Sequence, residues 1–295
     1  MHSASRLAIG TAQFGLSYGV SNQRGQIPKE EIQEILARSF EAGVNTLDTA
    51  IGYGNAESQL GSIGVTSWRI ISKVPSIPDE CLNVTDWIER ETDASLSRLR
   101  IRTLSGLLLH RATDLLGTGG DRTYHALQKL KNDGRVEKIG VSIYDFHELS
   151  QILDRYELDL VQPPFNCIDR RLIDSGWITR LNLMGVELHV RSIFLQGLLL
   201  MPPETRPRYF GRWKGLLEIW DSWLKSNGAD PIETCLGLPA SRPEIDRTVV
   251  GVNSLEHLDQ ILNRAQTKVV PPLPDEINCS DLDLIDPSRW KVGKT

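Results

Sequence analysis

The sequence predicts a single α/β domain folded as a parallel (β/α)8 barrel, the TIM barrel, and three observations lead to this fold. Eight short apolar runs alternate with longer segments of helical periodicity along the 295 residues. Each apolar run precedes its helix, so successive strands are joined by crossover helices, which require a parallel sheet. The composition, with 40% hydrophobic and 24% charged residues, is typical of one globular domain with a large core.

The first strand and helix show the pattern on which the other pairs are predicted. Residues 7–11 form a short apolar run, and residues 29–43 carry apolar side chains at helical spacing until Gly43 ends the pattern. The following strand and helix pairs are predicted at residues 46–50 and 55–64, 69–74 and 84–99, 104–110 and 121–134, 138–143 and 145–156, 158–165 and 174–185, 186–192 and 212–227, and 247–252 and 254–265. The apolar residues of the last helix share one face, which predicts an amphipathic cover that closes the barrel.

Three stretches fall outside this repeat. Residues 14–28, rich in glycine, serine and asparagine, predict a long first loop on the face where barrel enzymes carry their chemistry. Residues 230–246 predict an inserted helix, and residues 268–295, which contain three closely spaced prolines, predict an irregular tail outside the barrel. We expect residues 1–295 to form one domain with a core over about residues 7–265.

Charge and cysteine content restrict the classes of partner. The formal net charge of -5 and the absence of long basic runs argue against nucleic acid and anionic membranes, so we expect a small-molecule partner. The four cysteines have no Cys-x-x-Cys spacing, which signals neither a metal site nor a disulfide framework and fits a reducing cytoplasm. Residues 1–6 lack the apolar core of a signal peptide, and no run suggests a membrane span. The oligomeric state is left open.

Four residues of different chemistry stand at the ends of three consecutive predicted strands. Asp48 ends the second strand and Tyr53 follows it, Lys73 lies near the end of the third, and His110 ends the fourth. Because the carboxyl ends of neighbouring barrel strands lie side by side, we expect these side chains to converge on one cleft. Considered alone, these residues also have structural interpretations: the aspartate as a helix cap or turn residue, the lysine as a solvated cation and the histidine as a structural residue.

The expected convergence suits the reduction of a carbonyl group. A neighbouring Lys73 ammonium is expected to lower the pKa of the Tyr53 phenol and make it a usable acid. Asp48 would hold the ammonium in place, and His110 would donate a hydrogen bond to a substrate carbonyl oxygen. We therefore expect these four residues to be catalytic.

These residues and others further along resemble the motifs of the aldo-keto reductases, a family of nicotinamide-dependent β/α barrels. The matching elements, in chain order, are Asp48 to Tyr53, Lys73, His110, Gly140-Val141-Ser142, Gln162 to Asn166, and Arg191-Ser192. The first loop, residues 10–22, resembles a bacterial subgroup associated with sugar and surface-polysaccharide metabolism. The resemblance implies an NAD(P)H-dependent oxidoreductase that reduces a sugar-like aldehyde or ketone.

The resemblance also implies a set of cofactor-binding residues. Ser142 and Gln162 are expected to bind the nicotinamide carboxamide, with Asn166 nearby, and Arg191 is expected to lie beneath the nicotinamide ring. The alternative for Gln162 and Asn166 is a structural turn after the sixth strand. The full implied set is Ser142, Gln162, Asn166, Arg191, Ser192, Phe194, Gly197, Gly251, Asn253 and His257.

The choice of nicotinamide cofactor depends on the start of the last helix. In the resembling family a basic cluster there binds the 2′-phosphate of NADPH, whereas this chain has Asn253, Ser254 and His257 in that segment. The sequence therefore predicts that NADPH and NADH both bind, with a modest preference for NADPH.

Aromatic residues of the loops are candidates for the substrate pocket. Phe14, Tyr18 and Trp213, together with Phe194, lie in segments expected on the catalytic face, where aromatic walls would suit the apolar face of a sugar ring. Each has an alternative reading as an ordinary loop anchor. The alternative function is a nicotinamide-sensing regulatory subunit with the same fold and slow turnover.

Overall fold

The computed structural model describes residues 3–265 and 271–292, in which eight parallel strands close into one barrel in sequence order. The strands are β1 Leu7–Gly10, β2 Thr46–Asp48, β3 Arg69–Val74, β4 Gly106–Leu109, β5 Ile139–Ser142, β6 Leu160–Gln162, β7 Glu187–Val190 and β8 Arg247–Gly251. The barrel closes because β1 pairs with β8 in parallel, with Leu7 opposite Thr248. The predicted (β/α)8 fold is confirmed.

Helices cover the outside of the barrel. They are α1 Ala12–Gly15, α2 Lys29–Glu41, α3 Ala56–Ile63, α4 Val84–Leu99, α5 Gly120–Asn132, α6 Phe146–Leu153, α7 Arg171–Asp174, α8 Trp177–Leu183, α9 Lys214–Asn227, α10 Pro231–Ala240, α11 Leu255–Arg264 and α12 Leu282–Ile285. Within the described residues, no helix combines the length and apolar character needed to cross a membrane.

Two apolar layers hold the barrel together. Ile71, Leu108 and Leu160, from three different strands, form a small buried cluster of their own, as expected for inward-facing barrel residues. The large cluster joins the outer faces of the strands to the helices. A β-carbon at Gly140 would lie 1.8 Å from the Leu160 carbonyl oxygen, so glycine is required where β5 meets β6.

The departures from the predicted elements have local causes. The predicted helix at residues 174–185 is interrupted, and Gly176 between α7 and α8 has a φ of 74°, which helical geometry does not allow. The first loop begins with the short helix α1, and α9 follows a 3-10 turn at Arg208–Trp213. Residues 271–292 contain short helical turns that pack on the barrel, with Pro287 buried.

Candidate active site

A cavity of about 820 Å³ opens at the carboxyl ends of the strands. Its walls combine strand ends with the loops that follow β1, β7 and β8. The residues expected to be functional that line it are Asp48, Tyr53, Lys73, His110, Ser142, Arg191, Ser192, Phe194, Gly197, Gly251, Asn253, His257 and Tyr18. We call the part around Asp48, Tyr53, Lys73 and His110 the catalytic end, and the part around Gly251, Asn253 and His257 the β8 end.

A buried ion pair lies at the floor of the catalytic end. Lys73 Nζ donates to Asp48 Oδ1 at 2.6 Å and to the Thr49 carbonyl oxygen at 2.9 Å. Gln162 Nε2 donates to Asp48 Oδ2 at 2.7 Å, so both carboxylate oxygens have partners. Burial lowers the pKa of Lys73, and the negative charge of Asp48 opposes that change. The ammonium therefore depends on Asp48 to remain charged.

Tyr53 lies between the ammonium and the imidazole. Lys73 Nζ is 5.5 Å from the Tyr53 ring centroid, and the rings of Tyr53 and His110 meet edge to face with centroids 5.9 Å apart. The pKa of Tyr53 is nevertheless raised, first by burial and then by the negative charge of Asp48. The expectation that Lys73 lowers this pKa is wrong for this arrangement, because burial of the phenol disfavours the phenolate and the carboxylate paired with Lys73 acts on the phenol as well.

His110 is a neutral imidazole at physiological pH. Its ring faces the cavity, while the surrounding protein and then the positive charges of Lys73 and Arg191 lower its pKa to about 4. A neutral imidazole carries one N–H donor. Tyr53 and His110 therefore present two uncharged hydrogen-bond donors to the same part of the cavity.

Arg191 anchors the wall next to these donors. Its Nε donates to Ser142 Oγ at 3.2 Å and its terminal nitrogen donates to the Ile143 carbonyl oxygen at 2.9 Å. The guanidinium lies 4.0 Å from the centroid of the Tyr144 ring, a distance typical of a cation–π contact. Ser142 accepts from Arg191 and so keeps its own O–H available as a donor to a ligand.

The loop after β7 has an unusual backbone. Ser192, Leu195 and Gln196 have φ values of 61°, 47° and 52°, and Gly197 has a φ of 91°. Such conformations in non-glycine residues store strain and are concentrated at functional sites. The first loop packs directly on this segment, because a β-carbon at Gly197 would lie 1.9 Å from Ser21 Oγ.

The first loop and the β8 end enclose the remaining part of the cavity. Gln196 Nε2 donates to the Tyr18 hydroxyl at 3.1 Å, which ties the two long loops together. At the β8 end Gln13 Nε2 lies 3.4 Å from Asn253 Oδ1, and the rings of Phe194 and His257 have centroids 6.2 Å apart. These contacts join the first loop, the loop after β7 and the start of α11 into one continuous wall of the cavity.

Comparison with known proteins identifies the family of this chain. The family model described as "Aldo/keto reductase family" matches residues 6–273. This chain belongs to the aldo/keto reductase family. The resemblance inferred from the motifs is thereby confirmed at the level of the family.

Individual relatives of this aldo/keto reductase are distant. An NADH-specific methylglyoxal reductase from Escherichia coli (strain K12) is 26% identical over 216 residues, or 66% of this chain, and the chain spans 65% of that protein's length. An L-galactose dehydrogenase from Arabidopsis thaliana is 23% identical, with 86% of this chain and 83% of that protein covered. Among solved structures, the holo form of an aldo-keto reductase from Bacillus halodurans has a TM-score of 0.72 at 19% identity, covering 90% and 88% of the two chains.

Four expected site residues of this aldo/keto reductase lie outside the cavity wall. Phe14 is fully buried in the core, and Trp213 donates from Nε1 to Asp281 of the tail at 3.0 Å, so neither is placed to contact a substrate. Gln162 is buried against Asp48. Asn166 closes a turn after β6, as its alternative reading predicted, because its Oδ1 accepts from two backbone amides.

Several residues of the cavity wall were not expected from the sequence. Tyr144 stacks on Arg191, and Glu148 reaches the wall from the first turn of α6. Pro287 and Ser288 come from the tail, which was expected to cross only the outside of the barrel. The position of Tyr144, two residues after Ser142 at the end of a predicted strand, is a usable sequence signal for its place in the wall. The tail has no periodicity that would indicate its place.

Proposed function

We propose that this protein is an oxidoreductase that reduces an aldehyde or ketone to an alcohol with NADH or NADPH. The observation that carries the proposal is the meeting of Tyr53, His110 and the buried Lys73–Asp48 pair at one end of the cavity. A carbonyl oxygen that gains negative charge needs hydrogen-bond donors and a proton source, and this group provides both.

The donor set of the cavity fits a nicotinamide dinucleotide. Ser142 lines the cavity and has an O–H donor available, which suits the carbonyl oxygen of a carboxamide. The flat guanidinium of Arg191 is held by two residues of the wall and suits stacking under an aromatic ring. When bound, the cofactor supplies the hydride that adds to the carbonyl carbon.

Tyr53 would supply the proton in this reaction. Its raised pKa keeps the phenol protonated near neutrality, and the alkoxide formed by hydride addition is a stronger base than a phenolate. His110 would donate its N–H to the same oxygen and position it. Lys73 would then stabilise the phenolate at Tyr53 until the hydroxyl regains a proton.

We further propose that the substrate is small and carries hydroxyl groups, as a sugar-like aldehyde or ketone does. Polar residues, among them Ser76, Thr113, Glu148 and Ser288, line the cavity together with the aromatic rings of Tyr18 and Tyr144. Hydroxyl groups can bond to the polar side chains while the apolar face of a ring packs on an aromatic one. The names of the two relatives, a methylglyoxal reductase and an L-galactose dehydrogenase, accord with a small carbonyl compound or sugar.

The test is a steady-state assay of the purified chain with NADH and with NADPH. Methylglyoxal, a panel of aldoses and a bulky aromatic aldehyde are compared by loss of the absorbance of the reduced cofactor. We expect turnover with the small polar carbonyls. Preference for the aromatic aldehyde, with sugars inert, would contradict the substrate class. Tight cofactor binding without turnover of any carbonyl would favour the nicotinamide-sensing alternative.

A further inference from the structure

A carboxylate from a helix that is distant in sequence binds to the first turn of α11, next to the β8 end of the cavity. Glu31 on α2 accepts a hydrogen bond from the backbone N–H of Leu255 at 3.1 Å through Oε1. This amide belongs to the first residue of α11, where free N–H groups and the helix dipole would otherwise attract an anion. Asn253 and His257, on either side of Leu255 in the sequence, line the cavity.

Two other amides near the start of α11 also have partners within the protein. Ser254 Oγ accepts from the His257 N–H at 3.0 Å, and His257 Nδ1 accepts from the Asn253 N–H at 3.3 Å. The three N–H groups of Asn253, Leu255 and His257 are therefore occupied by a carboxylate, a hydroxyl and an imidazole. A phosphate that binds to any of these three N–H groups would have to displace its acceptor.

The charges around the turn do not favour a dianion either. Arg24 is bound to both oxygens of Glu31, at 3.0 and 2.9 Å, so the two charges offset each other and the guanidinium is not free to bind a phosphate. Burial lowers the pKa of His257, which leaves the imidazole neutral near pH 7. The carboxylate lies directly on the helix start, whereas Arg24 reaches the turn only through the Asn253 carbonyl oxygen at 3.4 Å.

We infer that Glu31 makes this site selective for a nicotinamide cofactor without a 2′-phosphate, that is, for NADH over NADPH. This inference rests on the proposed function, because it concerns the cofactor of the same cavity. A ribose 2′-hydroxyl is uncharged and can donate to a carboxylate, whereas a 2′-phosphate finds three N–H groups near the helix start occupied and Arg24 already bound to Glu31. The inference replaces the modest NADPH preference expected from the sequence with the opposite order.

Binding measurements on the wild-type chain provide the first test. The affinities of NADH and NADPH are compared by isothermal titration calorimetry, together with 5′-AMP and 2′,5′-ADP, which differ only by the 2′-phosphate. We expect NADH to bind at least about threefold more tightly than NADPH, with the same order in the fragment pair. Tighter binding of NADPH would overturn the inference while leaving the proposed function intact. Binding of neither cofactor would instead contradict the proposed function.

The variant Glu31→Gln tests the residue itself. The substitution keeps an oxygen that can accept from the Leu255 N–H but removes the negative charge. We expect the affinity for NADPH and for 2′,5′-ADP to rise about tenfold, because a negative charge is removed and Arg24 loses its carboxylate partner and becomes available to the phosphate, while the affinity for NADH changes less than about threefold. Unchanged or weaker NADPH binding in a folded Glu31→Gln chain would overturn the inference.

A matched control lies on the same helix. Glu34 is exposed on α2, so Glu34→Gln removes the same charge one turn away without altering the acceptor of the Leu255 N–H. We expect this variant to retain the wild-type ratio of NADPH to NADH affinity within about twofold. An equal gain in NADPH affinity from both variants would show a general charge effect and overturn the specific role of Glu31. If Glu31→Gln does not fold, the wild-type order of affinities still decides the inference.

Discussion

An ion pair lies at or beside each end of the cavity, but the pairs differ in burial and in which groups they leave available to a ligand. At the catalytic end the side chains of Lys73 and Asp48 are 1% and 5% exposed, and they leave Tyr53 and His110 as neutral donors. At the β8 end the side chains of Arg24 and Glu31 are 58% and 18% exposed, and Glu31 occupies a helix amide. An ion pair can thus leave neutral hydrogen-bond donors available to a ligand at one site and hinder the binding of an anionic ligand at another.

The difference in burial also separates the two pairs energetically. A buried charge that loses its partner is costly, whereas an exposed pair is screened by water and contributes little. The buried pair is therefore expected to support both the fold and the chemistry. The exposed pair is expected to affect only the selectivity between NADH and NADPH. Substitutions in and around the two ion pairs test this contrast.

The variant Lys73→Met is expected to have the largest effect. It leaves the Asp48 carboxylate buried without its cation, so the free energy of unfolding should fall by about 3–5 kcal/mol, and carbonyl reduction should be lost. Arg24→Met is the matched truncation in the exposed pair and should cost at most about 1 kcal/mol. Urea unfolding of both variants measures the contrast. Equal losses of stability would show that burial does not distinguish the two pairs.

The double variant Asp48→Asn with Lys73→Met separates stability from chemistry. Removal of both charges should recover much of the stability lost in Lys73→Met, because no unpaired charge remains buried. The reduction rate should stay low, because the ammonium that stabilises the phenolate is absent. A double variant that regains activity would rule out the assigned role of Lys73.

The variant Tyr53→Phe should lower the chemical step about 100-fold or more, because the proton donor is lost while the ring is kept. Cofactor affinity should be nearly unchanged. Single-turnover hydride transfer measures the step directly. Tyr18→Phe is the control, since Tyr18 lines the same cavity but its hydroxyl accepts from Gln196, and it should retain most of the activity. Normal hydride transfer in Tyr53→Phe would contradict the assignment of the acid.

The variant Gly197→Ala should weaken cofactor binding and stability through a steric clash. Gly197 and Gly43 have nearly the same φ, 91° and 88°, but only the position of Gly197 places a new β-carbon against Ser21, since nothing lies within 4 Å of one at Gly43. Both substitutions should cost about 1–2 kcal/mol from the left-handed backbone. Gly197→Ala alone should also reduce cofactor affinity, and Ser21→Gly should restore part of it. An equal effect of both alanine variants on cofactor binding would show that the contact with Ser21 is unimportant.

The pH dependence of reduction is the smallest expected effect. His110, with a pKa of about 4, and Tyr53, with a raised pKa, keep their protonation states through neutrality, so kcat/KM for reduction should vary less than about twofold between about pH 5.5 and 8.5. As the pH falls, the unfolded chain binds a proton at His110 at a higher pH than the folded chain does, so protonation favours unfolding. Stability should therefore fall as the pH drops from about 6.5 to about 4. A rate that changes with an apparent pKa near 6.5 would show that His110 titrates in the active protein.

Much of the fold could be predicted from local signals. Seven of the predicted strand and helix pairs correspond to the observed ones with shifts of a few residues at their ends, and the pair at residues 158–165 and 174–185 differs because Gly176 divides its helix. Apolar periodicity and glycine positions are properties of short segments, so the chain order alone reveals them. The four residues of the catalytic end follow from the same argument, since each lies at or just beyond the end of a recognisable strand.

Side-chain environments could not be predicted in this way. Phe14 has the same loop-like sequence context as Tyr18, yet Phe14 is buried in the core and Tyr18 is 39% exposed at the cavity. Gln162 was expected to face the cofactor, but its amide nitrogen is bound to Asp48, which is 114 residues away in sequence. These outcomes depend on which side chains the closed barrel brings together, and a local sequence pattern does not specify contacts between distant segments.

The sequence by itself determined the barrel, the order of its strands and the convergence of Asp48, Tyr53, Lys73 and His110, because strand period and strand direction place these residues on one edge. Only the tertiary structure decided how the groups behave. The pKa of Tyr53 is raised because burial and the Asp48 charge act together, and Glu31 reaches the Leu255 amide across 224 residues of sequence. Desolvation and charge act through space, so their effect is defined only when distant segments have packed.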